Sequence, residues 1–502
     1  MMVASAESPP DPLYSARGAL AVVVMLTAWR VGVMVLHPIP LSFDEAQYWV
    51  WSRSLELGYF SKPPLIGWVI ALTTGLCGDG EACVRLGSPL AHMGAAMAIY
   101  LVGRTLYGAR VGFWSAVVYA TLPAVTLSSM VISVDPLLLL CWALALFALT
   151  RALDGGGGKW WAAMGVAIGV GLLAKYAMAL FPLSLVVYLA WSPERRPLLR
   201  RPQVWLALLL ALVVVAPNLA WNAGHGFITF AHTRDNAQLG GVGGGGGLAL
   251  HPGKMAEFLG SQAAVFGPLL LVVLAWTVAT ARRLAAEDER ARLLLAFSVP
   301  ILGLMTAESL LSRANANWAA PAYVAATVLV VAWADRRGRW GLIKASVALH
   351  LVVAVGVAEY ETLTRLIGPD LARRIDPTKK VRGWDIVGAQ VARTWQANPG
   401  TRLLFDRRRV MAPLLYYVRP HPFDAVKWNT TGRFHDHFDL TTDLGRHVGE
   451  NFLLVTEESN PDTIVAAFAR SELVSVIRVP IYPGYGREVR VFRLEGFKGY
   501  GR

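Results

Sequence analysis

The sequence predicts an α-helical polytopic membrane protein carrying a small α/β domain at its C-terminal end. Three observations lead there. Charged residues make up 16% of the 502, against about 25% in soluble domains. Hydrophobic residues make up 55%. Apolar runs of about 17 to 22 residues, each able as a helix to cross roughly 30 Å of hydrocarbon, recur from residue 18 to 358. Only helices or closed barrels satisfy their backbone in lipid, and these runs lack the alternation of a barrel.

The runs lie near 18–37, 82–106, 110–128, 134–151, 160–175, 177–191, 203–221, 259–280, 293–311, 318–334 and 340–358, about eleven spans by hydropathy. Arg104 and Arg110, Arg151 and Lys159, Arg195, Arg196, Arg200 and Arg201, Arg282, Arg283, Arg290 and Arg292, and Arg336, Arg337 and Arg339 fall in alternate short loops. Such a bias marks those loops as cytoplasmic. With an odd span count and a cytoplasmic N-terminus, residues 38–81, 222–258, 312–317 and everything after 358 are expected outside. The expected division is a transmembrane domain over 1–358, with an external loop at 38–81, and an extracytoplasmic α/β domain over 359–502. The first run reads as a retained helix, because it carries Arg30 and no small-residue cleavage site follows it. Arg30 itself is expected to face the bundle interior or to snorkel.

The formal charge of +13 is explained by the loop bias. Its basic residues are dispersed among loops, so no nucleic-acid partner is expected; membrane lipids are. Gly155–Gly158 reads as a linker in a cytoplasmic connector. The run GGVGGGGG at 240–247 follows no predicted strand and ends in no Lys-Ser/Thr pair, so it fails the context test for a nucleotide loop and reads as an external loop. With no nucleotide-binding domain in the sequence, primary active transport is not expected. Cys77 and Cys83 bracket CGDGEAC on the expected oxidising side, while Cys141 lies in a span. The spacing permits a disulfide, with two unpaired thiols near an interface as the alternative.

The first external loop, LSFDEAQYWVWSRSLELGYFSKPPLIGWV, holds the most chemistry. Asp44 and Glu45 follow the first span directly. An unpaired carboxylate at membrane depth costs about 2.5–3.5 kcal/mol, so both are expected to line a polar cavity. From Ala46 to Leu57 the pattern predicts a helix lying on the membrane, with Tyr48, Trp51 and Leu55 on one side, Gln47, Arg53 and Glu56 toward water, and Trp49 and Trp51 at headgroup level. Lys62-Pro63-Pro64 then forces an extended bend, and Pro64 opens a second short helix. Each residue has a structural alternative: N-capping for Asp44 and Asp135, headgroup anchoring for Lys62, and capping for Arg313, Asn315 and Asn317, which are otherwise suited to a phosphate or an acidic sugar. His225 and His232 fit satisfied loop histidines as well as ligands. No metal-ligand spacing is present.

After Tyr360 the pattern changes. TRLLFD, NFLLVT and SVIRVP read as strands and PDTIVAAFARSEL as a helix, giving a mixed α/β domain, while HDHFDL shows no catalytic arrangement.

DEAQYW followed by GYFSKPP resembles the first loop of the lipid A aminoarabinose transferases and of the wider protein mannosyltransferase-like superfamily of GT-C-type membrane glycosyltransferases. SVDP at 133–136, LLAKY at 172–176, APNLAWNAGHGF at 216–227 and ANWAAPAY at 316–323 extend the resemblance, the last two toward the lipopolysaccharide galacturonosyltransferases. The resemblance implies an inverting transferase that takes a sugar from a polyprenyl-phosphate donor and gives it to an external acceptor, lipid A or lipopolysaccharide core, in the inner membrane of a bacterium. It implies that Asp44 stands at the acceptor, that Tyr48 and Tyr59 line the cavity, and that Lys62 lies near the donor phosphate; Glu45 joins them as a binding candidate by its place beside Asp44. Asp135 matches an acidic residue of the second external loop and Lys175 a lysine ending the fifth span; His225, Arg313 and Asn317 join as binding candidates. Gln47 and Ser61 stand where the aminoarabinose enzymes have Arg and Glu, which points to a different donor sugar. No cofactor is expected, since the lipid-linked sugar is a substrate; the need for a divalent metal stays open.

The chemistry agrees with that implication. An external site has no nucleotide sugars, so an activated donor must arrive through the membrane, and its phosphate is already a good leaving group. One carboxylate to take the acceptor's proton and cations to stabilise the phosphate then suffice. The competing class is a secondary transporter or lipid flippase, which places polar residues at the midplane and repeats its halves. Here the acidic residues gather at external span ends. A protein acceptor is the alternative within the transferase class.

Overall fold

The computed structural model describes residues 12–236, 250–368, 371, 373–374 and 376–500. The 240–247 glycine run lies outside the described residues. The chain forms two compact units: Met1–Val33, Lys62–Ile66 and Arg85–Ala358 make a helical bundle, and Met34–Ser61, Gly67–Val84 and Glu359–Arg502 make the other. The loop expected to belong with the bundle thus contributes most of its residues to the unit that contains the C-terminal segment.

Among the described residues of the bundle, seven helices are long and apolar enough to span a membrane: Ala16–Leu36, Glu81–Tyr107, Val134–Leu153, Pro202–Gly224, Glu289–Leu311, Ala316–Arg336 and Trp340–Ala358. Their outward faces are apolar, as lipid requires: Leu206, Leu209 and Val213 on one helix and Val352 on another are more than half exposed. This is a multi-pass membrane protein. The other four of the eleven expected runs are shorter, broken or bent, so by length and composition they are not among these seven. Run 110–128 breaks between Ala109–Thr121 and Pro123–Ser128, where Pro123 opens a new helix. Runs 160–175 and 177–191 give short apolar helices, Gly158–Ala174 and Tyr176–Trp191, separated by Lys175 in extended geometry. Run 259–280 becomes Pro252–Phe266 and Pro268–Ala279, bent by 115°, with Gly267 at φ 88° between them. If that pair counts as one span the number is eight.

The basic connectors gather at one end of the bundle. Arg195 pairs with Glu289 at 2.5 Å, Arg292 with Glu194 at 3.0 Å and Arg290 with Asp288 at 3.1 Å. Arg336 also pairs with Asp288, Tyr107 donates to it at 2.9 Å, and Arg290 donates to the Leu106 carbonyl at 2.7 Å. Loops 104–110, 194–196, 288–292 and 335–337 therefore share one face of this unit, as the charge bias requires. Arg30 is buried and serves structure: its guanidinium donates to the Ala120 carbonyl and, at 3.3 Å, to Thr126 Oγ1. Carbonyls in a last helical turn lack intrahelical donors, and Ala120 lies in such a turn.

The second unit contains a five-stranded sheet of order β2-β1-β3-β5-β4. Its strands are β1 (Thr401–Phe405), β2 (Val426–Lys427), β3 (Asn451–Thr456), β4 (Phe468–Tyr482) and β5 (Tyr485–Phe497). β1 pairs parallel with β2 and β3; β5 runs antiparallel to β3 and β4. All three expected strand runs are strands. The expected helix over PDTIVAAFARSEL is corrected: only Asp462–Val465 is helical, and from Phe468 the chain is strand. Pairing of Phe468 through Leu473 with β5, and burial of Phe468 against Phe452 and Phe497, override the local helical pattern.

The loop helix Phe43–Arg53 belongs to this unit, and seven of its eleven residues are buried. The expected extent, Ala46 to Leu57, and the expected wet side are therefore corrected. Trp49, fully buried, packs edge-on to Tyr416 at 4.9 Å and lies 4.6 Å from His421. Gln47, expected in water, is 1% exposed. Trp51 is 1% exposed and stacks on Tyr59 at 4.4 Å. A second short helix, Leu65–Cys77, follows Pro64 as expected. The structure joins Cys77 to Cys83, with Cα atoms 5.9 Å apart. The enclosed residues hold the unit together: Asp79 accepts from Trp49 at 3.0 Å and pairs with Arg53 at 3.2 Å, and Glu81 accepts from Tyr417 at 3.1 Å.

Candidate active site

In the bundle, Asp135 occupies the first turn of Val134–Leu153. Its carboxylate is engaged through both oxygens: Lys175 Nζ donates to Oδ1 at 2.7 Å and Asn317 Nδ2 to Oδ2 at 2.7 Å. Lys175 reaches it because the chain is extended there between two helices, and Asn317 because a short 3-10 turn, Ala316–Ala319, precedes the tenth apolar run. Lys62 adds a second positive charge acting on Asp135. Four candidates read from separate stretches of sequence thus meet in one electrostatic cluster. The Asp135–Lys175 side chains are 15% and 20% exposed, so the pair is largely desolvated. Charge-assisted bonds of this length are strong, and removing one partner strands the other.

In the second unit, Asp44 lies in the first turn of the loop helix. That helix is capped without it: Ser42 Oγ accepts from the Glu45 N–H at 3.3 Å and Glu45 Oε2 accepts from the Ser42 N–H at 2.9 Å, a capping box. The N-cap alternative for Asp44 is thereby filled by Ser42, and Glu45 serves the helix end. Asp44 instead pairs with Arg408 Nη1 at 3.0 Å, and its side chain is 48% exposed. Tyr59 is buried; its hydroxyl donates to the carbonyls of Trp51 at 2.9 Å and Ser54 at 3.1 Å, and a Cβ at position 67 would meet that oxygen at 2.8 Å, so Gly67 makes room for it. Desolvation raises the Tyr59 hydroxyl to about 12, as suits a structural donor. Tyr48 is 7% exposed against Trp51. His437 stands edge-on to both Trp51 and Tyr59, and burial lowers it to about 3.

His225 is stacked on Trp221 at 3.9 Å and bonded through Nδ1 to the Trp221 carbonyl at 2.7 Å, the arrangement of a satisfied helix-end histidine. Arg313 is exposed. Among the described residues no group of three or more His, Cys, Asp or Glu is placed to hold a metal ion. Arg408 is not among the residues the sequence points to; its one local signal is Arg407-Arg408-Arg409 at a strand-to-helix turn whose first turn contains no acid.

Comparison with known structures decides the fold. ArnT from Cupriavidus metallidurans in the apo state superimposes over 95% of this chain and 98% of its own, with TM-score 0.62 and 17% identity. The chain has the GT-C fold. ArnT bound to undecaprenyl phosphate gives TM-score 0.61 over 96% of this chain, at 16% identity. The model of the family described as dolichyl-phosphate-mannose-protein mannosyltransferase matches residues 61–221. The lipid A galacturonosyltransferase RgtD of Rhizobium johnstonii is 37% identical over 321 residues, 63% of this chain and 65% of its own. The undecaprenyl phosphate-alpha-4-amino-4-deoxy-L-arabinose arabinosyl transferase of Pseudomonas paraeruginosa is 33% identical over 176 residues, 34% of this chain and 32% of its own. The matches therefore span less than two thirds of these relatives' lengths. The chain resembles the lipid A aminoarabinose and lipopolysaccharide galacturonosyl branch of the GT-C glycosyltransferases.

Proposed function

We propose that this chain is an inverting glycosyltransferase of the bacterial inner membrane, moving a sugar from a polyprenyl-phosphate donor to lipid A or lipopolysaccharide core on the extracytoplasmic face. The observation that carries the proposal is the 37% identity over 321 residues to a lipid A galacturonosyltransferase. The shared fold with an undecaprenyl-phosphate-bound ArnT supports the donor class. The N-terminus is cytoplasmic and the C-terminal segment external in this reading, supported by the gathering of basic connectors at one bundle end.

Asp44 takes the proton of the acceptor hydroxyl, whose oxygen attacks the anomeric carbon opposite the phosphate. The bond from that carbon to the phosphate oxygen breaks, and polyprenyl phosphate leaves. Lys62 stabilises the phosphate charge. Asp135, bonded to Lys175 and Asn317 through one oxygen each, orients those two donors and acts as a positioning group instead of a second base. No cofactor takes part. The test is transfer by the purified protein from an undecaprenyl-phosphate-linked sugar to lipid A, read by mass spectrometry as a gain of one sugar. Modification of an unstructured peptide but not of lipid A would move the acceptor to protein, the class named by the matching family model. Absence of transfer to any acceptor would favour a transporter.

A further inference from the structure

We infer that Arg408 is a positioning residue for Asp44, so that the α/β segment supplies part of the catalytic geometry; this rests on reading Asp44 as the base. Three contacts fix the guanidinium. Nη1 lies 3.0 Å from Asp44 Oδ1 and donates at 3.2 Å to Gln47 Oε1, and the group covers the Phe43 ring at 4.7 Å. Phe43, Asp44 and Gln47 all lie on the loop helix, and residues three apart share a helix face, so one guanidinium reads Asp44 and Gln47 together.

Arg408 itself is well anchored. It is the first residue of the helix Arg408–Tyr417, two residues after Asp406 and three after the end of β1. That helix is held to the loop helix by the Trp49–Tyr416 contact, and to the loop entrance by the bond from the Leu41 N–H to the Tyr417 hydroxyl at 2.7 Å.

The pair is not needed for the local fold. Ser42 and Glu45 already cap the helix. With Asp44 48% and Arg408 26% exposed, solvent screens the pair, and such pairs add little stability. What it does set is the side-chain direction of a carboxylate that otherwise faces solvent from the first turn. A base must lie within hydrogen-bond reach of the proton it takes, and small misplacements slow reactions strongly. Gln47, 1% exposed, accepts from the same nitrogen that faces Asp44.

The experiment compares Arg408→Gln, Arg408→Lys, Gln47→Met, Asp44→Asn and Asp44→Asn/Arg408→Gln in the full-length detergent-purified protein. Gel filtration and thermal unfolding check the fold. In Arg408→Gln, kcat should fall by about 10- to 100-fold with donor KM within about twofold. Arg408→Lys should recover most of it, because a single nitrogen makes both polar contacts and an ammonium can do the same. Gln47→Met should lower kcat in the same direction, which keeps the test alive if Arg408→Gln does not fold. In the Asp44→Asn background, Arg408→Gln should add nothing, since it acts through the missing carboxylate. Wild-type kcat in Arg408→Gln beside an inactive Asp44→Asn overturns the inference and leaves the base in place. A raised KM with unchanged kcat overturns it too, making Arg408 a substrate contact. A fully active Asp44→Asn removes the base reading and this inference with it.

Discussion

Lys175 Nζ stands 2.7 Å from Asp135 Oδ1, although the residues are 40 apart in sequence. The break in the helical backbone at Lys175 is what lets its side chain reach the first turn of Val134–Leu153. A buried pair that loses one partner leaves an uncompensated charge, at a cost of about 3 kcal/mol. Asp135→Ala and Lys175→Ala should each lower the unfolding temperature in detergent, and the double variant should lose less than the sum of the two. Additive losses would mean that the two do not act as a pair.

The Cys77–Cys83 bond closes a short loop whose residues Asp79 and Glu81 bind Trp49, Arg53 and Tyr417. Closing a seven-residue loop is worth about 2 kcal/mol in the chain-entropy model. Cys77→Ser/Cys83→Ser should lose about that much, and thiol labelling of the unreduced wild type should modify neither cysteine. Quantitative labelling of both would end the idea.

His437 is buried against Trp51 and Tyr59, and desolvation holds it near 3. An exposed histidine in the unfolded chain titrates near 6.5. The folded value is depressed, so the unfolded state binds the proton first, and stability falls as pH drops from about 6.5 toward 3. At pH 5 the loss is about 2 kcal/mol. His437→Phe should flatten this acid limb of the unfolding profile; an unchanged limb would place the titration elsewhere.

What the sequence makes legible follows from pattern length. Apolar runs and basic loops give the membrane fold because each is a statement about a dozen or more residues. Interruptions by one residue are not readable in the same way: Gly267 looks like an ordinary member of the run 259–280, yet it ends one helix and precedes the next. The Asp44–Lys62 loop is legible as chemistry because carboxylates and lysines at a span end are costly. Its partners are not, because Arg408 is 364 positions from Asp44 and nothing local in DRRRV names a carboxylate. The burial of Trp49 and Gln47 is hidden from the sequence for a related reason. A periodic pattern assigns a wet and an apolar side, whereas this helix is buried on most of its surface by the helix Arg408–Tyr417, by His421 and by the disulfide loop.

Topology gives an independent prediction. If the face shared by Arg195, Arg290, Arg292 and Arg336 is cytoplasmic, a reporter active only in the cytoplasm and fused after Arg502 should be silent. A strong cytoplasmic signal would show that this face is external or that Trp340–Ala358 does not cross the membrane.

The last prediction concerns the base itself. Asp44→Asn keeps size and hydrogen bonding but removes the charge that accepts a proton. Since Ser42 and Glu45 cap the loop helix, the fold should survive the change. Transfer should fall by about 100-fold or more, the usual general-base contribution being 10² to 10⁴. Lys62→Met acts on a different part of the reaction. It removes a cation from the field that includes Asp135 and Lys175, so it should weaken use of the lipid-linked donor whatever the acceptor. Measured against varied donor and varied acceptor concentrations, the two variants should therefore fail differently, Asp44→Asn in kcat and Lys62→Met in its dependence on the phosphate-bearing substrate. Equal transfer by wild type and a well-folded Asp44→Asn protein would sink the assignment and pass the role to Asp135, the carboxylate held by Lys175 and Asn317.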